Sequence, residues 1–182
     1  MDWFRKVKMK KYFVRFAVLL FVAGCAMQAP EVSTHYDPIG NRTDLMSENL
    51  LDTPGPPREM VWLNASRIWK GFDKSSYYLE VEYMARNEVG FLEIPPGEAL
   101  TIIADGEAMK FAGDGSMNLR KPYKKELVRE NAIFHVDKKA LQKIAAAKQV
   151  KVQIKGNKGL IEREFAKENT ERFRKFVSTY AQ

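Results

Sequence analysis

Tyr77-Tyr78-Leu79-Glu80-Val81-Glu82-Tyr83 places apolar side chains at positions 77, 79, 81 and 83, with Glu80 and Glu82 between them. Side chains of an extended strand point alternately to opposite faces, so this period of two predicts a strand with one dry and one wet face. Upstream, the run from Val61-Trp62-Leu63 to Trp69 reads as the first strand of the domain. Downstream, a short strand is expected at Phe91–Ile94, ending at Pro95-Pro96-Gly97. Leu100–Ala104 then meets Asp105-Gly106, a hairpin turn in which glycine supplies positive φ, and Met109–Phe111 returns. Gly113-Asp114-Gly115-Ser116 is a further turn, and a polar loop runs on to Tyr123.

Ile133–Val136 is another strand, after which Asp137 has the character of a helix N-cap. Ala140, Leu141, Ile144 and Ala145 recur at helical spacing, and Val136 with Leu141 can form a hydrophobic staple across that cap. Val150, Val152 and Ile154 alternate with Lys151, Gln153 and Lys155, then turn at Gly156-Asn157-Lys158-Gly159 into Leu160–Phe165. Phe173, Phe176, Val177 and Tyr180 form one apolar stripe on a final helix. Strands joined by tight turns pair antiparallel, and one-sided helices need an apolar face to cover. Residues 59–182 are therefore expected to form a single α+β domain, an antiparallel sheet with two helices in its C-terminal half.

The whole chain has 182 residues and a formal charge of +7, but six basic residues and one acid fall within the first 24 positions. The remainder is close to neutral at +2, which removes the composition argument for nucleic-acid binding. Those 24 residues have a basic start, an apolar run from Phe16 to Val22, and small residues before the chain's single cysteine, Cys25. A membrane span needs about 20 apolar residues, whereas Arg15 leaves nine positions before Cys25. The segment reads as a cleavable export signal, with Met1 or Met9 as its start.

Val22-Ala23-Gly24-Cys25 resembles the lipobox of bacterial lipoproteins. The resemblance covers residues 1–24 and their junction. It implies cleavage before Cys25, acylation of its thiol and attachment to a membrane through that lipid. Ala26 follows, where aspartate in this family favours retention in the inner membrane, so an envelope with two membranes would hold the protein in the outer one, facing the periplasm. Residues 25–58 are poor in periodic pattern and end in Thr53-Pro54-Gly55-Pro56-Pro57. They are expected to be a mostly disordered tether, apart from one amphipathic helical turn at Leu45, Met46, Leu50 and Leu51, with a mean span of about 30 Å.

Catalytic parts are scarce. His35 and His135 are the only histidines, so no metal site or cofactor is expected. A nucleophile–base–acid set would have to use His135, and the serine in Gly113-Asp114-Gly115-Ser116 lacks a following helix to build an oxyanion hole. Glu80 and Glu82 share a strand face, as do many solvated carboxylates. The remaining signal is charge segregation: residues 25–119 hold seven basic and fifteen acidic residues, and 120–182 hold seventeen basic and seven acidic. Arg120, Lys121, Lys124, Lys125, Lys151, Lys155 and Lys158 could form a face for an anionic lipid, glycan or protein, or could simply coat solvated strands. The leading expectation is a non-enzymatic envelope protein that binds another envelope component. The alternative is a glycan- or lipid-directed binding or hydrolytic domain, with a pocket drawn from Trp62, Trp69, Tyr77, Tyr78 and Tyr83.

Overall fold

The structure, a computed structural model, describes residues 31–51, 58–70, 74–116, 121–122 and 126–182. The expected leader, Cys25, the Pro54–Pro57 run, Arg120, Lys124 and Lys125 lie outside the described residues. The strands are β1 (Val32–Tyr36), β2 (Arg42–Met46), β3 (Glu59–Trp69), β4 (Ser75–Arg86), β5 (Gly97–Ala104), β6 (Glu107–Gly113), β7 (Lys121–Pro122), β8 (Leu127–Val136), β9 (Val150–Gly156) and β10 (Gly159–Glu164). The helices are α1 (Lys138–Ala146) and α2 (Lys167–Tyr180). All pairings are antiparallel, in the order β1-β2-β3-β4-β8-β6-β5-β9-β10, with β7 also on β8. The fold is thus an antiparallel sheet with two helices near the C-terminus, and strand outweighs helix.

The alternation read in the sequence sets the faces. Leu79, Val81, Tyr83 and Ala85 of β4 are buried together with Val61, Leu63 and Ala65 of β3 and Val128, Ala132, Phe134 and Val136 of β8. Asp137 caps α1, its carboxylate accepting from the amide of Ala140 at 2.7 Å, and Val136 and Leu141 on either side of the cap are both buried. Phe173, Phe176 and Val177 seat α2 in the same core. Asp105-Gly106 forms the β5–β6 turn with both residues at positive φ, 48° and 89°, the conformation that two-residue hairpins favour.

Two expectations are corrected. Residues 31–51 were expected to be tether, but β1 and β2 form one edge of the sheet, pairing Leu45 with Ser66 and Arg42 with Trp69. The expected helical turn at 45–51 is absent: Met46 and Leu51 are buried, and Leu50 bridges to Trp62. Turn-forming residues within 37–41 build a hairpin here. Asp37 accepts from the amides of Ile39 and Asn41 and from the Asn41 side chain, an Asx arrangement that makes the turn from local chemistry.

The second correction concerns 91–96, which is a loop rather than a strand. It is held by Glu130, a fully buried carboxylate on the core-facing side of β8. One oxygen accepts from the amides of Leu92 (2.8 Å) and Glu93 (3.0 Å). The other accepts from the amide of Ile94 (2.7 Å) and the hydroxyl of Ser116. The loop's carbonyls are also used: Ile94 receives the Ser116 amide, Glu93 the Asn157 amide and Leu92 the Lys158 amide. Close approach demands glycine on either side. A Cβ at Gly156 would lie 2.1 Å from the Leu92 carbonyl oxygen, and one at Gly113 would lie 2.2 Å from that of Ile133. Gly113↔Phe134 is the only register pair between β6 and β8, so the two halves of the sheet depend on this loop for much of their connection.

Removing one partner of a buried, hydrogen-bonded charge strands the others, at about 3–5 kcal/mol. Glu130→Ala should lower the urea midpoint accordingly, and Glu130→Gln, which retains an acceptor, should cost less. Chemical denaturation of both variants at neutral pH checks the order. Equal midpoints for Glu130→Ala and the parent chain would contradict this role.

Candidate functional site

An open cleft of about 710 Å³ lies where β3 ends, β4 begins and β8 meets α1. Trp69, Ser75, Tyr77, His135, Lys138 and Gln182 are among its lining residues. Its floor is positioned by a buried ion cluster. Asp44, fully buried on β2, takes Arg67 at 2.7 Å, Arg42 at 2.8 Å and the Thr34 hydroxyl at 2.9 Å. Burial pushes the Asp44 carboxyl up, but the hydrogen bonds from Arg67, Thr34 and Arg42 outweigh it and hold the group below the ordinary aspartate value. Arg67 then lies over the ring of Tyr180, 5.2 Å from its centroid. The Tyr180 carbonyl accepts from the Tyr77 hydroxyl at 3.2 Å, and that of Ala181 accepts from Gln142. The C-terminal end of α2 is thereby satisfied by side chains and closes one wall of the cleft.

The aromatic residues expected to line a pocket are divided. Trp69 and Tyr77 line the cleft. Trp62 and Tyr78 are half-buried on β3 and β4, on the sheet face away from the core, where Tyr78 meets His135 with ring centroids 4.9 Å apart. Tyr83 is core, with its hydroxyl donating to the Gly90 carbonyl.

Among the described residues, Ser116 and His135 are engaged separately. Ser116 is spent on Glu130 and Ile94, and no hydrogen bond joins His135 to Ser75, Ser76 or Asp137. Among the described residues, no group of three His, Cys, Asp or Glu is placed to hold a metal ion. Glu82 is engaged bidentately by Arg129, at 2.8 Å for both contacts. Its strand neighbour Glu80 faces the same way, but burial pushes its carboxyl above the ordinary value of 4.5 against the opposing hydrogen bond from Ser66.

Of the lysines expected to form a basic face, Lys151 and Lys155 share the outward face of β9, and Lys158 sits in the β9–β10 turn. Lys151 pairs with Glu164 and Lys158 with Glu93. Lys121 lies on β7. Part of the charge segregation of the sequence is paired within the fold. Lys175–Glu31, Arg163–Glu59, Arg129–Glu82, Lys158–Glu93 and Lys143–Glu107 each join the basic part to the acidic one.

Sequence reasoning missed Asp44, Arg67 and Glu130. Glu130 carried a signal, because it interrupts a core-facing series of Val128, Ala132, Phe134 and Val136. A buried carboxyl whose folded value is raised contributes stability that is complete below its unfolded value and is lost as pH rises through the folded one. Glu80→Gln should therefore raise the urea midpoint at pH 7, with the gain vanishing below about pH 4. Denaturation across that range tests the sign; a gain independent of pH would contradict it. No protein-family model, curated protein or solved structure matches this chain.

Proposed function

We propose that the mature chain is a lipid-anchored, non-enzymatic protein of the bacterial envelope whose folded part binds another envelope component. The observation that carries this reading is Val22-Ala23-Gly24-Cys25 behind a basic, apolar leader. Acylation would give the only thiol a use and place the protein on a membrane, facing the periplasm from the outer membrane where the envelope has two. The scatter of Ser116, His135, Glu80 and Glu82 into separate structural contacts favours binding over catalysis. The partner is an envelope protein, glycan or lipid, and the exported address disfavours nucleic acid.

One observation favours a second reading, in which the domain takes a glycan or lipid ligand. The cleft places Trp69 and Tyr77 beside hydroxyl, amide and cationic groups, and binding sites combine apolar surface with a few convergent polar groups. In that case Trp69→Ala should weaken binding of cell-wall glycan fragments at least tenfold by titration calorimetry, whereas Trp62→Ala, off the cleft, should leave it unchanged. Parallel loss in both variants would disconnect the binding from the cleft.

Intact mass of the membrane-extracted protein tests the anchor. A chain beginning at Cys25 and carrying acyl groups is expected, with Cys25→Ala unprocessed and without acyl groups. An unprocessed, unacylated parent chain overturns the anchor. Turnover of a substrate by the mature protein, abolished in His135→Ala, would overturn the non-enzymatic assignment.

A further inference from the structure

Asp44 and Arg67 mark the last row of the core-facing surface that α2 covers, since Arg67 touches the terminal turn of that helix at Tyr180. One step further along the same face, the register sets Tyr36, Arg42 and Trp69 side by side on β1, β2 and β3. This row lies beyond the contact of Arg67 with Tyr180, and at Trp69 it borders the cleft beside the end of α2. Tyr36 is 69% exposed and Trp69 38%, and Ile39 in the adjoining turn is 84% exposed. Tyr36 and Ile39 are the two most exposed large hydrophobic residues among those described, and with Trp69 they gather at one end of the sheet. Single exposed apolar residues are ordinary, whereas a cluster of them needs an occupant.

The surrounding charge is basic. Arg42 stands between the two aromatic residues. Lys70 and Lys74, both exposed, close the described ends of the neighbouring β3–β4 connection, with the Lys70 amide donating to the Lys74 carbonyl. Asp37, the nearby acid of the β1–β2 turn, keeps its negative charge while accepting three hydrogen bonds within that turn, and Arg42, Lys70 and Lys74 outnumber it. Tyrosine, tryptophan and cations around an aliphatic tip are the chemistry of a membrane–water interface.

Reach favours the same occupant. Only six residue steps separate Cys25 from Glu31, which precedes β1. Fully extended they cover about 20 Å, and the five residues of β1 add about 17 Å to the hairpin tip. A lipid on Cys25 therefore keeps the tip within reach of the leaflet that holds it.

We propose that the end of the sheet formed by Tyr36, Ile39 and Trp69 docks on a bilayer surface containing anionic lipid, as a second attachment beside the Cys25 acyl group. Ile39 enters the interface, Tyr36 and Trp69 lie at headgroup level, and Arg42, Lys70 and Lys74 meet the phosphates. This rests on the lipid-anchor reading above.

The test uses mature acylated protein in vesicles of phosphatidylethanolamine and phosphatidylglycerol doped with brominated phospholipid, carrying Trp62→Phe so that Trp69 is the remaining tryptophan after leader cleavage. Bromine should quench Trp69 emission, and Ile39→Asp should cut that quenching at least twofold without moving the urea midpoint. Replacing phosphatidylglycerol with phosphatidylcholine should also reduce it. Acylated protein whose Trp69 is unquenched, or quenched equally in Ile39→Asp, overturns the docking surface and leaves the anchor standing. A mass without acyl groups overturns the anchor, and the docking argument falls with it.

Discussion

Glu130 is the fixed point on which the two halves of the sheet depend. A carboxylate in a core is costly unless its lone pairs are filled, and here three consecutive loop amides and a serine hydroxyl fill them. The benefit is mutual, because the same contacts satisfy backbone groups of a segment that belongs to no strand. Between β6 and β8 the ladder offers a single register pair, so that segment bears much of the join. Gly113 and Gly156 permit the backbone approach on which the arrangement relies.

Asp44 plays a comparable part at the other end of the sheet. It gathers Arg42, Arg67 and Thr34, and through Arg67 it is tied to the last turn of α2 at Tyr180. The cleft borders this end of α2, and Trp69 stands at its edge. The ion pairs between acidic and basic parts of the chain are individually weak in water, and five of them tie the two parts together within the fold. Function is better sought where apolar side chains lack cover than where lysines are numerous.

The regular elements were legible because their patterns are local. Alternation in β4 and β9, the Asp105-Gly106 turn, the Asp137 cap and the stripe of α2 each declare themselves within a few residues. The edge hairpin was not, because β1 and β2 are five residues each and carry polar side chains at positions that only tertiary partners satisfy. Asp44 in β2 looks like a residue that breaks a strand until Arg67 stands across from it. The loop at 91–96 was misread for a related reason: Phe91, Leu92 and Ile94 are apolar enough for a strand, but the amides of Leu92, Glu93 and Ile94 are claimed by a carboxylate 36–38 residues away. Of the cleft only Trp69 and Tyr77 were legible, since its walls come from β3, β4, β8 and the ends of both helices.

Asn169 of α2 donates to Asn49 and to the Leu50 carbonyl, across 120 and 119 positions of sequence. Arg67 and Tyr77 likewise find the Tyr180 carbonyl more than a hundred residues later. The first segments of the chain thus have buried amides and charges whose partners are made last. A polypeptide made from its N-terminus cannot complete these contacts while the final helix is still to be added. Asn49, Arg67 and Tyr77 thus wait for α2 before their hydrogen bonds to it can form, which makes the edge of the sheet made first dependent on the helix made last.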